Sequence, residues 1–331
     1  MNILPLSGSD PIGAAALLGH ANPHELERFI ALEDAVWGMS TLRPAVIEAV
    51  RLHCAKIRGC AFCAAVRVTA AAEDGLTEAQ IQRLGKLADR DLFSAEQSAA
   101  LTLVDRFLRD PRRPDEERSA EIAALLGTSG VMEVLIACCA FASADLRIAL
   151  GENRRPNGSG IVQRARGNHS VRSSANVWPA LSGSILDPAT ELLFVAAGLA
   201  KPIRERVAAL WSDDDMPTEL MAACIVRSAQ MLGVAENDPA YPFLVPARAA
   251  SSADPGDVRN WPAWPAANGR DVLELAEQVW IDPAGVNAAT IDPLKARLGV
   301  AGVIRVTWNL ILIGQLHRLA LVLHRVPGTA K

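Results

Sequence analysis

Residues 43–63 read RPAVIEAVRLHCAKIRGCAFC, and they contain an amphipathic helix, its stop signal and a pair of cysteines. Pro44 suits the first turn of a helix, and Gly59 suits its end. The apolar residues between them recur at helical spacing. A second helix is predicted to begin near Cys60 and to continue to about Ala72.

The same helical periodicity continues along the chain. Thr77, with Gln80 three residues later, resembles a capping box, and Ser94 is placed to cap the next helix. Two further helices are predicted over about 115–126 and 131–150. The sequence has no run of alternating apolar and polar residues bounded by hairpin turns, so the predicted fold class is all-α.

An internal repeat is suggested by matches at a nearly constant offset of 172 to 174 positions. The matched positions are Trp37 and Trp211, Gly59 and Gly233, and the Asp-Pro pairs at 110–111 and 282–283. Two unrelated sets of amphipathic helices would give a weaker form of the same pattern. We predict two helical units, 1–150 and 184–331, joined by a linker at 151–183 that is rich in Gly, Asn, Ser and Arg.

The composition argues against several classes of function. A formal charge of −4 offers no electrostatic surface for nucleic acid, so no nucleic-acid partner is expected. The most apolar segments, 131–150 and 303–324, carry charged residues throughout, which favours core helices over membrane spans. The N-terminus lacks a signal-peptide pattern, and the six cysteines are unevenly spaced. These features predict a cytoplasmic protein with reduced thiols and no membrane partner.

The pair Cys60 and Cys63 carries the strongest chemical signal. Cysteines three residues apart on one helix share a face, and the first helical turn favours a thiolate. A thiolate attacks peroxides and disulfides, and a neighbouring thiol resolves the sulfenic acid into a disulfide. Half of a zinc site and purely structural cysteines are the alternatives, although no second Cys/His pair has suitable spacing. The other four cysteines are predicted to pack in the core: Cys54, Cys138, Cys139 and Cys224.

These residues carry a resemblance to a known family. Glu48, twelve positions before Cys60, followed by Gly-Cys-x-x-Cys, resembles the AhpD-like (alkylhydroperoxidase D), carboxymuconolactone decarboxylase superfamily. That family's pattern is a glutamate on one helix and Cys-x-x-Cys-x-x-x-His on the next. The match covers residues 47–84, and the rest of the chain matches only in the helical periodicity of its apolar residues. The resemblance implies two AhpD-like helical bundle units, of which the second has Val234 and Asn237 opposite the cysteines.

Site roles follow from the resemblance residue by residue. Cys63 is then the peroxidatic thiol, Cys60 its resolving partner and Glu48 part of the proton relay. The helix-dipole argument alone favours Cys60 as the more acidic thiol. The family's histidine falls on Arg67, which cannot accept a proton at neutral pH but can pair with Glu48 and hold a thiolate by charge. His53, on the same predicted helix as Glu48, is a candidate substitute proton carrier.

The function implied by the resemblance is a thiol-dependent oxidoreductase that reduces peroxide or an organic hydroperoxide. An external dithiol or a lipoyl-bearing protein would supply the electrons, and no cofactor or metal is expected. Because members of this superfamily associate through their helices, a homo-oligomer or an internal pseudo-dimer is expected. The alternatives are a non-catalytic or redox-sensing interaction protein with a remnant site, and a lactone decarboxylase, whose chemistry does not depend on the dithiol.

Overall fold

A computed structural model of the chain describes residues 13–38, 41–86, 91–113, 116–157, 160–163, 178, 181, 183–188, 190, 197–212, 215–250 and 269–324. Within these ranges almost every secondary-structure element is helical, which confirms the all-α fold class. Two strands of two residues each, β1 (Arg67–Val68) and β2 (Ile161–Val162), pair in parallel.

Two series of helices follow one another along the chain. The first series is α1 (Ala14–Ala21), α2 (Pro23–Gly38), α3 (Pro44–Arg58), α4 (Ala61–Ala65), α5 (Thr69–Glu73), α6 (Glu78–Arg83), α7 (Ala95–Arg109), α8 (Glu116–Ala140) and α9 (Ser143–Ala149). The second series is α10 (Ala197–Leu210), α11 (Thr218–Met231), α12 (Tyr241–Leu244), α13 (Ala247–Ala250), α14 (Gly269–Ile281) and α15 (Ala288–His324), with a 3₁₀ turn at Pro283–Gly285 before α15.

The predicted helix ends are present where local chemistry defines them. Helix α3 ends at Gly59, whose φ of 75° lies in the left-handed region that glycine adopts without strain. The capping boxes at Thr77 and Ser94 are both formed, each with its reciprocal glutamine bond. These local signals are therefore confirmed.

The single helix predicted over 60–72 is wrong. Helix α4 ends at Ala65, the chain is extended through β1, and α5 begins at Thr69. The interruption has a tertiary cause, because the Arg67 amide donates to the Gly160 carbonyl at 2.6 Å and β1 pairs with β2. A partner almost a hundred residues away thus competes with helical hydrogen bonds.

The predicted helix at 131–150 is divided, and its predecessor continues into it. Helix α8 runs through both segments with a non-helical residue at Gly127, where φ is 67°. A turn at 141–142 then separates α8 from α9. The position predicted as the beginning of the earlier helix, 115, lies outside the described residues.

Several helices of the second series begin at the offset found in the sequence. Helix α11 begins 174 positions after α3, and α14 begins 174 positions after α7. Helix α15 begins 172 positions after α8. Helix α15 is interrupted at Gly299, with φ of 68°, as α8 is at Gly127. Gly233 likewise follows α11 with φ of 72°, as Gly59 follows α3.

The two series share one hydrophobic core. Helix α15 packs against α1, α7, α8 and α9, and α10 packs against α2. Inside this core Phe29 meets the ring of Trp308 edge-to-face, with ring centroids 6.2 Å apart. Two stretches, Glu117–Ala149 and Ala288–His324, are long and apolar enough to cross a membrane by composition. In the most apolar window of each stretch, however, 83% and 61% of the residues, respectively, are buried inside the protein. This burial is expected for core helices.

Candidate functional site

The cysteine pair lies at the beginning of α4, and its two members have different surroundings. Cys60 is the N-cap residue, and its Sγ accepts a hydrogen bond from the Cys63 amide at 3.2 Å. The two sulfurs are joined as a disulfide, with the Cα atoms 5.3 Å apart. Cys60 is 1% exposed, whereas Cys63 is half-buried and lines a cavity. A molecule in that cavity therefore meets Cys63.

The cavity beside Cys63 has a volume of about 320 Å³ and a largely apolar wall. Its apolar lining includes Phe29, Trp37, Phe62, Val66, Val68 and Phe141. Its charged lining consists of Glu33, Arg51 and Arg147 among the described residues. This size and lining suit a small organic molecule with an apolar body.

Glu48 and Arg51 form a buried ion pair behind the cysteines. Arg51 donates from Nε and Nη2 to the two Glu48 oxygens, each at 2.7 Å, and the Val68 amide donates to the same carboxylate at 3.2 Å. Glu48 is 1% exposed. Burial lowers the pKa of Arg51, but the charge and hydrogen bonds of Glu48 more than offset it and leave that pKa raised. Arg51 is therefore charged at neutral pH.

Arg51 also connects this ion pair to the cysteine helix. Its Nη1 donates to the Cys63 carbonyl at 2.9 Å, and its Nη2 donates to the Val66 carbonyl at 2.7 Å. One side chain thus holds the last turn of α4 against the buried carboxylate of Glu48. The signal that could have identified Arg51 is its spacing of three residues from Glu48 on one helix, where opposite charges meet.

Contrary to expectation, Arg67 does not pair with Glu48. Its guanidinium donates to the carbonyls of Ala64 and Val66 and forms an ion pair with Glu78 at 3.3 Å. The reason is the break after α4: Arg67 lies on β1, so it no longer projects from the helical face that carries Cys63. The charge that reaches the cysteine segment is instead that of Arg51.

His53 is placed away from the cysteines, so its proposed role as proton carrier is not supported by the geometry. Its Nδ1 accepts a hydrogen bond from the Gly85 amide at 2.8 Å, and its Nε2 lies 3.0 Å from an Asp105 oxygen. Because an amide can only donate, Nδ1 carries no proton and Nε2 donates to Asp105. His53 is buried, and its bond to Asp105 connects α3 to α7. A residue five positions after Glu48 on the same helix projects from a different side of that helix, so His53 points away from Glu48.

The beginning of the predicted linker covers the site instead of running free. Asn153 accepts from the Ala61 amide at 2.8 Å and donates to the Gly59 carbonyl at 3.0 Å. A Cβ on Gly160 would lie 3.1 Å from the Val66 Cα, so the close approach of the two segments favours glycine.

Arg147 adds a second buried cation to the cavity wall. Its guanidinium stacks on the Phe62 ring, 3.4 Å from the centroid. Burial lowers the pKa of Arg147 to about 10, and Glu152 opposes this shift. The side chain is therefore still charged at neutral pH, and it lies against Phe62, one of the two residues between the cysteines.

The remaining cysteines are buried as predicted. Cys54 and Cys138 have their sulfur atoms 3.8 Å apart, and burial raises the pKa of Cys139 to about 12. Cys224 is also buried. Within the described ranges, no group of three or more His, Cys, Asp or Glu side chains is arranged to hold a metal ion.

A comparison with known protein families gives a match that includes this site. Residues 23–106 match the family model described as "Carboxymuconolactone decarboxylase family". The matched range runs from α2 into α7 and includes Glu48, Arg51 and both cysteines. No match to the chain is found among curated proteins or among solved structures.

Proposed function

We propose that the chain is a thiol-dependent oxidoreductase of the AhpD-like, carboxymuconolactone decarboxylase superfamily that acts on organic hydroperoxides, on the premise of the family match over residues 23–106. The observation that carries the proposal is the inequivalence of the two cysteines. Cys63 lines an apolar cavity, and its partner Cys60 is buried directly behind it. This arrangement suits one thiol that attacks and one that resolves.

The chemistry proceeds in two balanced steps. The Cys63 thiolate attacks the outer oxygen of the hydroperoxide, the O–O bond breaks, and the alcohol leaves after taking one proton. The Cys63 sulfenic acid then reacts with the Cys60 thiol, forming the S–S bond and releasing water. An external dithiol, such as a dihydrolipoyl group, returns two electrons and two protons by disulfide exchange.

Two features of the site support this assignment. The mainly apolar wall favours a hydroperoxide with an organic body over hydrogen peroxide, since it buries apolar surface of the substrate. Arg51, fixed on the Cys63 carbonyl, places a positive charge close to the attacking thiolate and favours its ionised form. Glu48 acts in this proposal by holding Arg51, as a positioning residue.

A stoichiometric reaction tests the proposal. Fully reduced protein mixed with cumene hydroperoxide is expected to consume one equivalent of hydroperoxide and to lose two thiols per chain. Addition of dihydrolipoamide in excess is expected to give repeated turnover, measured as continuing hydroperoxide loss. Cys138→Ala is the matched control, because it removes a buried cysteine outside the site and leaves the stoichiometry unchanged.

The outcomes separate the proposal from its main alternative. Loss of two thiols without repeated turnover in the presence of dithiol would favour a redox sensor over an enzyme. No thiol loss at all would contradict both.

We also propose that the second half is a degenerate copy of the first and serves as its built-in partner. The recurrence of helix starts and of the left-handed glycines at offsets of 172 to 174 positions supports this proposal. Helix α15 packs on α7, α8 and α9, which is the kind of contact that a second subunit would otherwise make. The chain would then be an internal pseudo-dimer.

A truncated chain tests the pseudo-dimer. Residues 1–150 alone are expected to self-associate, because removal of α15 uncovers the apolar surface that it buries. Analytical ultracentrifugation measures the outcome against the full chain. A folded fragment that sediments as a stable monomer at micromolar concentration would contradict the built-in partner.

A further inference from the structure

A second cavity, of about 220 Å³, lies between the two halves of the chain and shares no lining residue with the cysteine cavity. Arg58 and Asp145 line it from the first half, and Gln315 and Arg318 line it from the second. It reaches the protein surface at Ile281, which is 73% exposed. The proposed dithiol chemistry does not use this cavity.

Arg58 is a buried cation whose hydrogen bonds are incomplete. Its side chain is 6% exposed. The Nη2 donates to the Gln315 oxygen at 2.9 Å, and the Nε lies 3.5 Å from an Asp145 oxygen. The Nη1 is buried and has no hydrogen-bond partner in the part of the chain that the structure describes. A buried guanidinium nitrogen without an acceptor is costly, so an acceptor bound in the cavity would stabilise it.

The charges around the cavity do not balance. Arg318 also lines it and donates to the Leu108 carbonyl at 3.0 Å. Among the described residues that line the cavity, Asp145 is the one that carries a carboxyl group, against the two guanidinium groups of Arg58 and Arg318. Burial lowers the pKa of Arg318, and the positive charge of Arg58 lowers it further. Two guanidinium groups against a single carboxyl group leave an excess of positive charge, which favours uptake of a monoanion.

We propose that this cavity binds a small organic monocarboxylate between the two halves. A carboxylate offers two acceptors to guanidinium donors and supplies the missing negative charge. The rest of the wall is largely apolar and includes Ile57, Leu108, Met231, Leu232, Val279 and Trp280. An aromatic or short aliphatic acid therefore fits the lining better than a hydrated inorganic anion.

Titration calorimetry with benzoate, in a buffer free of carboxylate and phosphate, tests the site on the full-length protein. We expect saturable binding of one benzoate per chain, and no measurable binding of benzamide, which has the same shape without the charge. Arg58→Met and Arg318→Met are each expected to weaken benzoate binding about tenfold or more, the loss typical of one charge-assisted interaction.

Two further variants keep the test decisive if an arginine substitution disturbs folding. Asp145→Asn removes the competing carboxylate while it retains both arginines, so it is expected to tighten benzoate binding severalfold. Arg147→Met changes the cysteine cavity and is expected to leave benzoate affinity unchanged. The proposal is overturned if benzoate does not bind, if Asp145→Asn does not tighten it, or if Arg147→Met is the variant that loses it. Because these readouts are of binding alone, failure of the dithiol chemistry would not affect them.

Discussion

Cys63→Ser is expected to abolish hydroperoxide reduction, whereas Cys60→Ser, without an external dithiol, is expected to consume a single equivalent per chain and to form no disulfide. The difference follows from position: Cys63 lines the cavity and Cys60 is 1% exposed behind it. Without the Cys63 thiol no nucleophile meets the substrate, so the rate should fall at least about a thousandfold. Without the Cys60 thiol the sulfenic acid at Cys63 persists, and dimedone should trap it for detection by mass spectrometry.

The opposite assignment has a physical argument of its own, which makes the experiment informative. The Cys63 amide donates to the Cys60 sulfur, and such a bond stabilises a thiolate at Cys60. If this acidity outweighed access, dimedone would label Cys60 in the Cys63→Ser variant. That result would reverse the roles of the two cysteines, whereas equal rates in both variants and the parent would exclude the dithiol from the reaction.

Arg51→Met is expected to lower the free energy of unfolding by about 3–5 kcal/mol, because it leaves the Glu48 carboxylate buried without its counter-charge. It also removes the hydrogen bonds that hold the Cys63 and Val66 carbonyls. Urea denaturation measures the first effect. The rate of Cys63 alkylation in the reduced protein measures the second, and it should fall as the thiolate loses its neighbouring charge.

A double substitution separates charge from positioning. Glu48→Leu combined with Arg51→Met replaces the buried pair with apolar side chains, so most of the lost stability should return while hydroperoxide reduction does not. Arg270→Met is the control, since its ion pair with Glu274 is exposed and should contribute little to stability. An unchanged urea midpoint in Arg51→Met would show that the Glu48–Arg51 pair does not support the fold.

Much of the helical framework follows from local chemistry in the sequence. Gly59 ends α3, and Thr77 and Ser94 begin helices, because each acts on backbone groups within a few residues. The Cys60–Cys63 pair was recognisable from its spacing, whereas Glu48 was recognised through the resemblance to the family pattern.

The side chains whose positions differ from the prediction are held by partners distant in sequence. Arg67 was predicted on a continuous helix near Glu48, but the strand at Ile161–Val162 pairs with its segment and turns it towards Glu78. His53 was considered for proton transfer, but Asp105, 52 positions away, holds its ring. Nothing in the local pattern of either residue reports such a contact.

The sequence by itself determined the all-α fold, the helix boundaries at Gly59, Thr77 and Ser94, and the spacing of the cysteine pair, because short-range hydrogen bonding and hydrophobic periodicity decide these features. The tertiary structure alone decided which cysteine meets the cavity, which arginine reaches the cysteine helix, and how the two halves enclose Arg58. These choices depend on burial and on charges brought together from separate segments. The energies of such contacts exceed the preference of a single helical turn, and for that reason α4 stops at Ala65 and Arg51, not Arg67, holds Cys63.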